Sequence, residues 1–279
     1  MKLRYAYNTN GAASHRLDDA IGLIADAGYD GVALTLDHHH CDPLAADWQR
    51  EAERVGRLLD DRGLGVVVET GARFLLDPRA KHEPTLVSAD PAGRMRRVAF
   101  LQRAIDIAAL WRAEAVSFWA GIPRPPVGRG EALAWLDEGL LQVLDHAEAR
   151  GVIAGFEPEP GMAIETCAQW EALHARHPRL ALALDTGHCL VTGDVDPAEA
   201  VRSYAGHLGT VAIEDMRRGV HEHLPFGTGD MDVPAVLSAL RETGYDRLVC
   251  VELSRESPRA HEAIPESIAY LRAAEGAGA

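Results

Sequence analysis

The residues best suited to chemistry are acids placed directly after short apolar runs. Five such runs, widely separated along the chain, end in a carboxylate: Glu69, Glu157, Asp185, Glu214 and Glu252. If the runs are strands of one sheet, these carboxylates gather at one edge, where they repel one another and raise one another's pKa values. A bound divalent cation would offset that repulsion. The pattern therefore indicates a metal site.

Histidines near these acids supply nitrogen ligands. His188 follows Asp185 by three residues, and His221 and His223 lie in the segment HEHLPFGTGD after Glu214. Carboxylate oxygens mixed with imidazole nitrogens suit Zn, Mn, Fe or Co better than Ca or Mg. We expect a divalent metal, Zn, Mn or Co, held by ligands from one set: Glu157, Asp185, His188, His221, His223 and Glu252.

Each member of this set has an ordinary structural explanation when it is taken alone. A single acid at a strand end is more often a helix cap, and two histidines one residue apart are more often solvated. The tight turn at 227–230, GTGD, would nevertheless fold the loop with His221 and His223 back toward the strand ends. Glu214 and Asp215 are expected to brace the arginines that follow them.

The elements that must position these residues alternate along the chain. Amphipathic stretches with helical spacing, such as Leu17, Ile21 and Ile24, separate the β-type runs. Helix starts are marked by Asp90 and Asp196, each followed by proline. The β-type runs number eight and cover 3–8, 31–36, 65–69, 115–119, 152–157, 180–185, 209–214 and 248–253.

Eight apolar strands with helices between them predict an α/β fold, a closed (β/α)8 TIM barrel forming a single domain over 1–279. A doubly wound open sheet is the alternative, but the first strand–helix turn, NTNGAASH, carries no GxGxxG fingerprint. In such a barrel, the chemistry lies at the carboxyl ends of the strands. The barrel therefore predicts that the acids and histidines meet.

The longest irregular segment, 70–93, follows the third predicted strand on the same face. It contains Arg73 and His82 and is interpreted as a lid that anchors substrate, although an ordinary exposed loop of mixed charge remains open. Glu159, just beyond Glu157, is a further candidate for contact with substrate.

The amino-acid composition excludes some classes of binding partner. The chain is 47% hydrophobic and 25% charged, as in globular proteins, and its net charge of -14 disfavours nucleic acid and anionic lipid. No apolar run is long enough for a membrane span, and the start of the chain lacks the apolar core of a signal peptide. The four cysteines are scattered without a CxxC pair, which favours the cytoplasm.

Four segments resemble the xylose isomerase-like barrel superfamily, which holds sugar isomerases, epimerases and endonuclease IV. They are Glu157, the LDTGH sequence at 184–188, VELS at 251–254 and HEHLPFGTGDMD at 221–232. In the epimerase branch, the resemblance implies one divalent ion held by a strand-5 Glu, a strand-6 Asp, a strand-7 His and a strand-8 Glu. The two glutamates also serve as the acid–base pair.

Carried over, the resemblance assigns metal binding to Glu157, Asp185 and Glu252, and catalysis to the two glutamates. It also implies that His188 contacts the substrate and that Arg217 is a candidate for its polar end. The expected place of the strand-7 histidine falls at Ala212. This chain therefore departs from the epimerase pattern at one ligand.

The endonuclease IV branch suggests which residues could replace the missing metal ligand. There, Asp-x-His before Gly-x-Gly and the strand-6 His hold one zinc of a three-zinc cluster. Here His221 takes the Asp position and His223 the His position, so these two and His188 could form one site beside the carboxylates. A two-metal centre is then conceivable.

Three functions remain open. The first is a metal-dependent isomerase or epimerase of a sugar, sugar phosphate or polyol, with Glu157 and Glu252 as acid and base. The second is a zinc-dependent hydrolase of a small phosphoester, favoured by His221-x-His223. The third is a barrel that binds a metabolite without catalysis, suggested by Ala212. Each predicts a small, carbohydrate-like or phosphorylated ligand, and a homodimer is expected because many such barrels pair.

Overall fold

A computed structural model describes residues 2–277 of the protein. Its centre is a closed parallel barrel, as predicted, in which each barrel strand pairs with the next barrel strand along the chain and the last pairs with the first. Valine-rich and leucine-rich runs such as GVVVE and LVCV form the strands because both of their faces are covered. The strands are β1 (Arg4–Asn8), β2 (Gly31–Thr35), β3 (Gly65–Glu69), β4 (Val116–Phe118), β5 (Ala154–Phe156), β6 (Ala181–Asp185), β7 (Leu208–Ile213) and β10 (Leu248–Val251).

Helices cover the outside of the barrel, and the two helix starts predicted at Asp90 and Asp196 are confirmed. The Asp90 carboxylate accepts hydrogen bonds from the backbone amides of Ala92 and Gly93, and Asp196 caps its helix in the same way. The α-helices are α1 (Leu17–Asp26), α2 (Trp48–Arg62), α3 (Pro91–Trp111), α4 (Arg129–Arg150), α5 (Cys167–His174), α6 (Thr186–Thr192), α7 (Pro197–Ser203), α8 (Val233–Glu242) and α9 (Ala260–Ala277).

Two further strands, β8 (Asp215–Arg217) and β9 (Val220–Leu224), form an antiparallel hairpin after β7. The sequence predicted this segment as a loop. Its residues are polar and lack clear alternation, so no hydrophobic period marks them as strands. The hairpin carries His221 and His223 and is the largest difference between the predicted and observed elements.

The barrel interior is filled by apolar side chains near its floor. Ala6, Ala33, Val67, Leu248 and Cys250 form a buried cluster inside the barrel, separate from the larger core between strands and helices. Within residues 2–277, no helix is long and apolar enough to cross a membrane.

Candidate active site

The alternation of side chains along each strand determines which polar residues point into the barrel above its floor. Successive side chains in a strand point to opposite faces, so a residue two positions beyond an inward one is also inward. Glu69 therefore lies above Val67, and Glu252 above Cys250. The same rule brings Glu157, Asp185 and Glu214 to this end of the barrel.

These strand ends open into a cavity of about 670 Å³. The widely separated residues Glu157, His188 and Glu252 share its wall, and Asp185 lies directly behind His188. The predicted convergence is therefore present in the structure. Other predicted residues on the wall are Arg73, His82, Glu159, His221 and His223.

Asp185 is fixed at the junction of β6 and α6. Its Oδ1 accepts hydrogen bonds from the backbone amides of Gly187 at 2.8 Å and His188 at 3.1 Å, which caps α6. Its Oδ2 lies 3.3 Å from His188 Nε2. The LDTGH sequence thus sets one carboxylate and one imidazole in contact within a single turn.

His188 presents its Nε2 to the other histidines. Its Nδ1 lies 3.1 Å from the Pro158 carbonyl oxygen, and donating a proton there leaves a lone pair on Nε2. That Nε2 lies 3.1 Å from His221 Nε2. Two ligands of a tetrahedral zinc, each at about 2.0–2.1 Å, are about 3.3 Å apart, so the spacing fits a shared ion.

A third histidine completes this group. His188, His221 and His223 each offer a nitrogen within 4.8 Å of the others. Glu159 borders the group, with carboxylate oxygens 3.8 Å from His188 Nε2 and 3.7 Å from His221 Nε2. The donor set and its spacing therefore fit a divalent transition metal.

The two glutamates proposed for catalysis are held from different sides. Glu157 accepts a hydrogen bond from Ser117 Oγ at 3.4 Å, and its Oε1 lies 3.6 Å from His188 Nδ1. Glu252 accepts a hydrogen bond from Asn10 Nδ2 at 2.9 Å. Ser117, in β4, and Asn10, just after β1, therefore orient the two carboxylates from other parts of the barrel.

Burial dominates the electrostatics of the site. It raises the pKa of Glu157 well above its ordinary value, with the nearby charge of Glu159 as the next cause. Burial would also raise the pKa of Asp185, but the imidazoles of His188 and His223 bring it below the ordinary value. For His223, burial acts to lower the pKa, yet the surrounding carboxylates raise it to about 10.

Glu214 and Asp215 do not brace the arginines, contrary to expectation, because both side chains are buried among other partners. Asp215 accepts hydrogen bonds from the backbone amides of Gly227 at 2.8 Å, Thr228 at 3.1 Å and Met231 at 3.0 Å. It ties the hairpin to the predicted turn. Glu214 packs beside Gly187 and His223.

The segment after β3 forms one side of the cavity. His82 Nδ1 lies 2.6 Å from the Gly71 carbonyl oxygen, and the ring meets Trp119 edge to face. Arg73 and Lys81 also line the cavity. Within residues 2–277, neither of these two cations has an ion-pair partner.

Arg217 is not where the sequence placed it. It is exposed in β8 and does not line the cavity, because the β8–β9 hairpin turns it outward. Arg255, which the sequence interpretation omitted, lines the cavity and pairs with Glu222 on the hairpin. Asn10 and Ser117 were also missed, although Asn10 lies two residues beyond the predicted strand at 3–8 and Ser117 is a polar residue within the apolar run at 115–119, so both could have been found.

Sequence and structure comparisons agree on the relatives. The chain is similar to the L-ribulose-5-phosphate 3-epimerase UlaE of Salmonella paratyphi C (strain RKS4594), with 24% identity over 242 residues that cover 86% of this chain and 82% of the relative. Its structure is similar to the 3-keto-D-glucoside 4-epimerase YcjR from E. coli in the apo form, with a TM-score of 0.79 and 18% identity over 98% of this chain and 100% of the other.

The fold is also similar to that of the IOLI protein with a bound zinc atom, with a TM-score of 0.77 and 17% identity over 99% of each chain. At these identities, the solved structures establish the fold alone. The sequence model of one family, described as xylose isomerase-like TIM barrel, matches residues 21–274. The protein therefore belongs to the xylose isomerase-like TIM barrel family.

Proposed function

We propose that the protein, acting as a single barrel domain over residues 1–279, is a divalent-metal-dependent isomerase or epimerase of a small sugar or sugar phosphate. One observation carries the proposal. Glu157, Asp185, His188 and Glu252, far apart in sequence, meet at one cavity at the carboxyl end of the barrel. The names of the relatives, which are epimerases of sugars and a sugar phosphate, support the same reaction class.

The proposed metal ligands are drawn from the set predicted by the sequence, with Asp185, His188, His221 and His223 in closest contact. When bound, a divalent ion would polarise a substrate carbonyl and make the neighbouring carbon more acidic. The Pro158 carbonyl keeps His188 in the tautomer that leaves Nε2 free for this role.

Glu157 and Glu252 would exchange the proton at that carbon. Glu157 directly follows β5 and Glu252 directly follows β10, and β6 and β7 separate these strands, so the two carboxylates approach the cavity from different parts of the barrel wall. One carboxylate removes the proton from one face, and the other carboxylic acid returns a proton. The raised pKa of Glu157 favours its protonated form and hence the role of acid.

The segment after β3 would hold the far end of the substrate. Arg73 and Lys81, without ion-pair partners in the described part of the chain, suit a phosphate or another anionic group. His82 offers Nε2 as an acceptor for a hydroxyl if Nδ1 donates to Gly71. Glu159 is placed to accept a hydroxyl proton on the metal side of the cavity.

The test is proton exchange in heavy water. L-ribulose 5-phosphate and D-allulose are incubated with the metal-loaded protein, and deuterium at the carbon beside the carbonyl is followed by NMR together with the new epimer. We expect Glu157→Gln and Glu252→Gln each to slow epimer formation by at least about 100-fold. If neither substrate exchanges, and a panel of ketoses and ketose phosphates behaves likewise, the assignment fails.

A phosphoester hydrolase is the second candidate, favoured by the three-histidine group at His188, His221 and His223. Phosphate release from small phosphoesters with zinc present, without any proton exchange, would select it. Binding of ketoses without either reaction would select the non-catalytic barrel suggested by Ala212.

We further propose that the protein is a homodimer in the cytoplasm. The four free, buried cysteines support a reducing compartment.

A further inference from the structure

Ala212 leaves a gap where the resemblance expects a histidine. A small pocket of about 10 Å³, roughly the space of one water-sized sphere, lies beside it between the barrel strands. Glu69, Glu157, Asp185 and Glu252 border this pocket, and no histidine within residues 2–277 does. A histidine that binds the same ion as Asp185 must therefore lie outside the Ala212 pocket, on another side of Asp185.

Glu214 lies on that other side, two positions beyond Ala212 on the same inward face. The residue is 0% exposed, and neither carboxylate oxygen has a hydrogen-bond partner among residues 2–277. His223 Nδ1, also without a hydrogen bond there, lies 3.9 Å from Glu214 Oε2, beyond hydrogen-bonding distance. A buried carboxylate in this state needs a compensating partner.

Gly187 makes room for this carboxylate. A Cβ at that position would lie 2.1 Å from Glu214 Oε1 and 2.8 Å from Met216 Cε. Because the glycine lies in the same turn as Asp185 and His188, the LDTGH sequence both supplies two ligands and admits the Glu214 side chain. The glycine and the glutamate therefore depend on each other sterically.

Asp185, Glu214 and His223 come from three different elements and offer ligand atoms that all lie within 4.8 Å of one another. Asp185 Oδ2 also lacks a hydrogen-bond partner in the described chain. Two ligands of one ion at 2.0–2.2 Å are at most about 4.4 Å apart, so shifts of under about 1 Å would close the site.

We propose that Glu214 is a metal ligand that replaces the missing strand-7 histidine and binds the ion together with Asp185 and His223. This inference rests on the metal dependence within the proposed function. It moves the ion away from the Ala212 pocket and toward the β8–β9 hairpin. Glu157 and Glu252 are then freer to act on the substrate.

The test compares metal affinity in three proteins stripped with chelator: wild type, Glu214→Gln and Glu69→Gln. Glu69 is the matched control because it borders the Ala212 pocket but not the Glu214 group. We expect Glu214→Gln to weaken Zn²⁺ binding at least tenfold in calorimetric titration, and Glu69→Gln to change it less than twofold. The reverse order would place the ion in the Ala212 pocket and overturn the inference.

Thermal unfolding of the metal-free proteins separates a ligand from a structural residue. A ligand role predicts that metal-free Glu214→Gln has a Tm no lower than wild type, since glutamine keeps the size and polarity of the side chain, and that Zn²⁺ raises its Tm less than that of wild type. A lower metal-free Tm with an equal rise on adding Zn²⁺ would show that Glu214 is only structural.

The two proposals fail in different ways. If wild type binds no Zn²⁺, Mn²⁺ or Co²⁺, both the metal-dependent function and the role of Glu214 are wrong. If wild type binds the ion and Glu214→Gln binds it equally well, only the role of Glu214 is wrong.

Discussion

At the scale of single residues, His82 combines an unusual backbone with a shielded imidazole. Its φ is 68°, in the left-handed region, where Asn and His are tolerated better than most residues. Burial lowers its pKa to about 4, and the neighbouring cations Lys81, Arg97 and Arg73 act in the same direction. The fold therefore favours neutral His82, the form that can accept a substrate proton.

This depressed pKa makes stability depend on pH in a known direction. Between the ordinary value near 6.5 and about 4, the unfolded chain binds a proton at His82 and the folded chain does not. Stability is therefore lost as the pH falls through this window. The contribution of His82 to that loss is at most about 3 kcal/mol.

His82→Asn tests this contribution while keeping a residue suited to the left-handed backbone. We expect the loss of unfolding free energy between pH 7 and pH 5 to be smaller in the variant than in wild type by about 1–2 kcal/mol, measured by urea denaturation. His261→Asn, at an exposed imidazole, is the control. Equal pH dependence in His82→Asn and wild type would contradict the expectation.

At the scale of elements, the β8–β9 hairpin determines where His221 and His223 lie, because both are in β9. Asp215 holds it by accepting from three backbone amides, and Gly229 lacks the Cβ that would approach Asp215 Oδ1 to 2.3 Å. Hydrogen bonds to a charged acceptor are among the stronger ones. The position of His221 and His223 thus depends on one buried carboxylate.

Asp215→Asn should loosen this hairpin, because an amide nitrogen would face a backbone donor. We expect a loss of about 2–4 kcal/mol in unfolding free energy together with weaker Zn²⁺ binding. Asp230→Asn is the control, since its carboxylate accepts one exposed amide, that of Arg218 at 3.0 Å, and should cost under about 1 kcal/mol. Urea denaturation and calorimetry measure both, and similar losses in the two variants would argue against the role of Asp215.

At the scale of the whole molecule, the two ends of the barrel have different tasks. Glu114, before β4, reaches across the floor: its Oε1 accepts from Arg4 Nη1 at 2.7 Å and its Oε2 accepts from the Leu248 backbone amide at 2.8 Å. It therefore links the first and last barrel strands, which close the sheet. In this fold the floor serves stability and the opposite face serves chemistry.

Glu114→Ala should lower the stability of the protein without changing its metal site. Leaving the Leu248 amide unpaired and removing the ion pair should lower the unfolding free energy by about 2–3 kcal/mol, with Zn²⁺ affinity unchanged. Glu53→Ala, on the exposed face of α2, should change stability by less than about 0.5 kcal/mol. A Glu114→Ala variant with normal stability, or with weakened metal binding, would contradict this division.

The sequence by itself determined the eight strands, the closed barrel and the carboxylates at its mouth. Apolar runs and proline-marked helix starts are local signals, so they predict the number of strands and helices. The two-residue alternation along each strand then predicts the direction of Glu69, Glu157 and Glu252. The LDTGH sequence similarly encodes the Asp185–His188 contact within one turn.

Only the tertiary structure decided the surroundings of these residues. The 227–230 turn predicted that His221 approaches His188, and the structure places their Nε2 atoms 3.1 Å apart. The outward turn of Arg217 in the hairpin has no local sequence signal, because the hairpin is held by hydrogen bonds between segments that are distant in sequence. The burial of Glu214 beside Gly187 is of the same kind. The local sequence determines the type of each side chain and its alternation along a strand. The exposure of a side chain, its hydrogen-bond partners and the space left by a glycine depend on packing between elements that are distant in sequence.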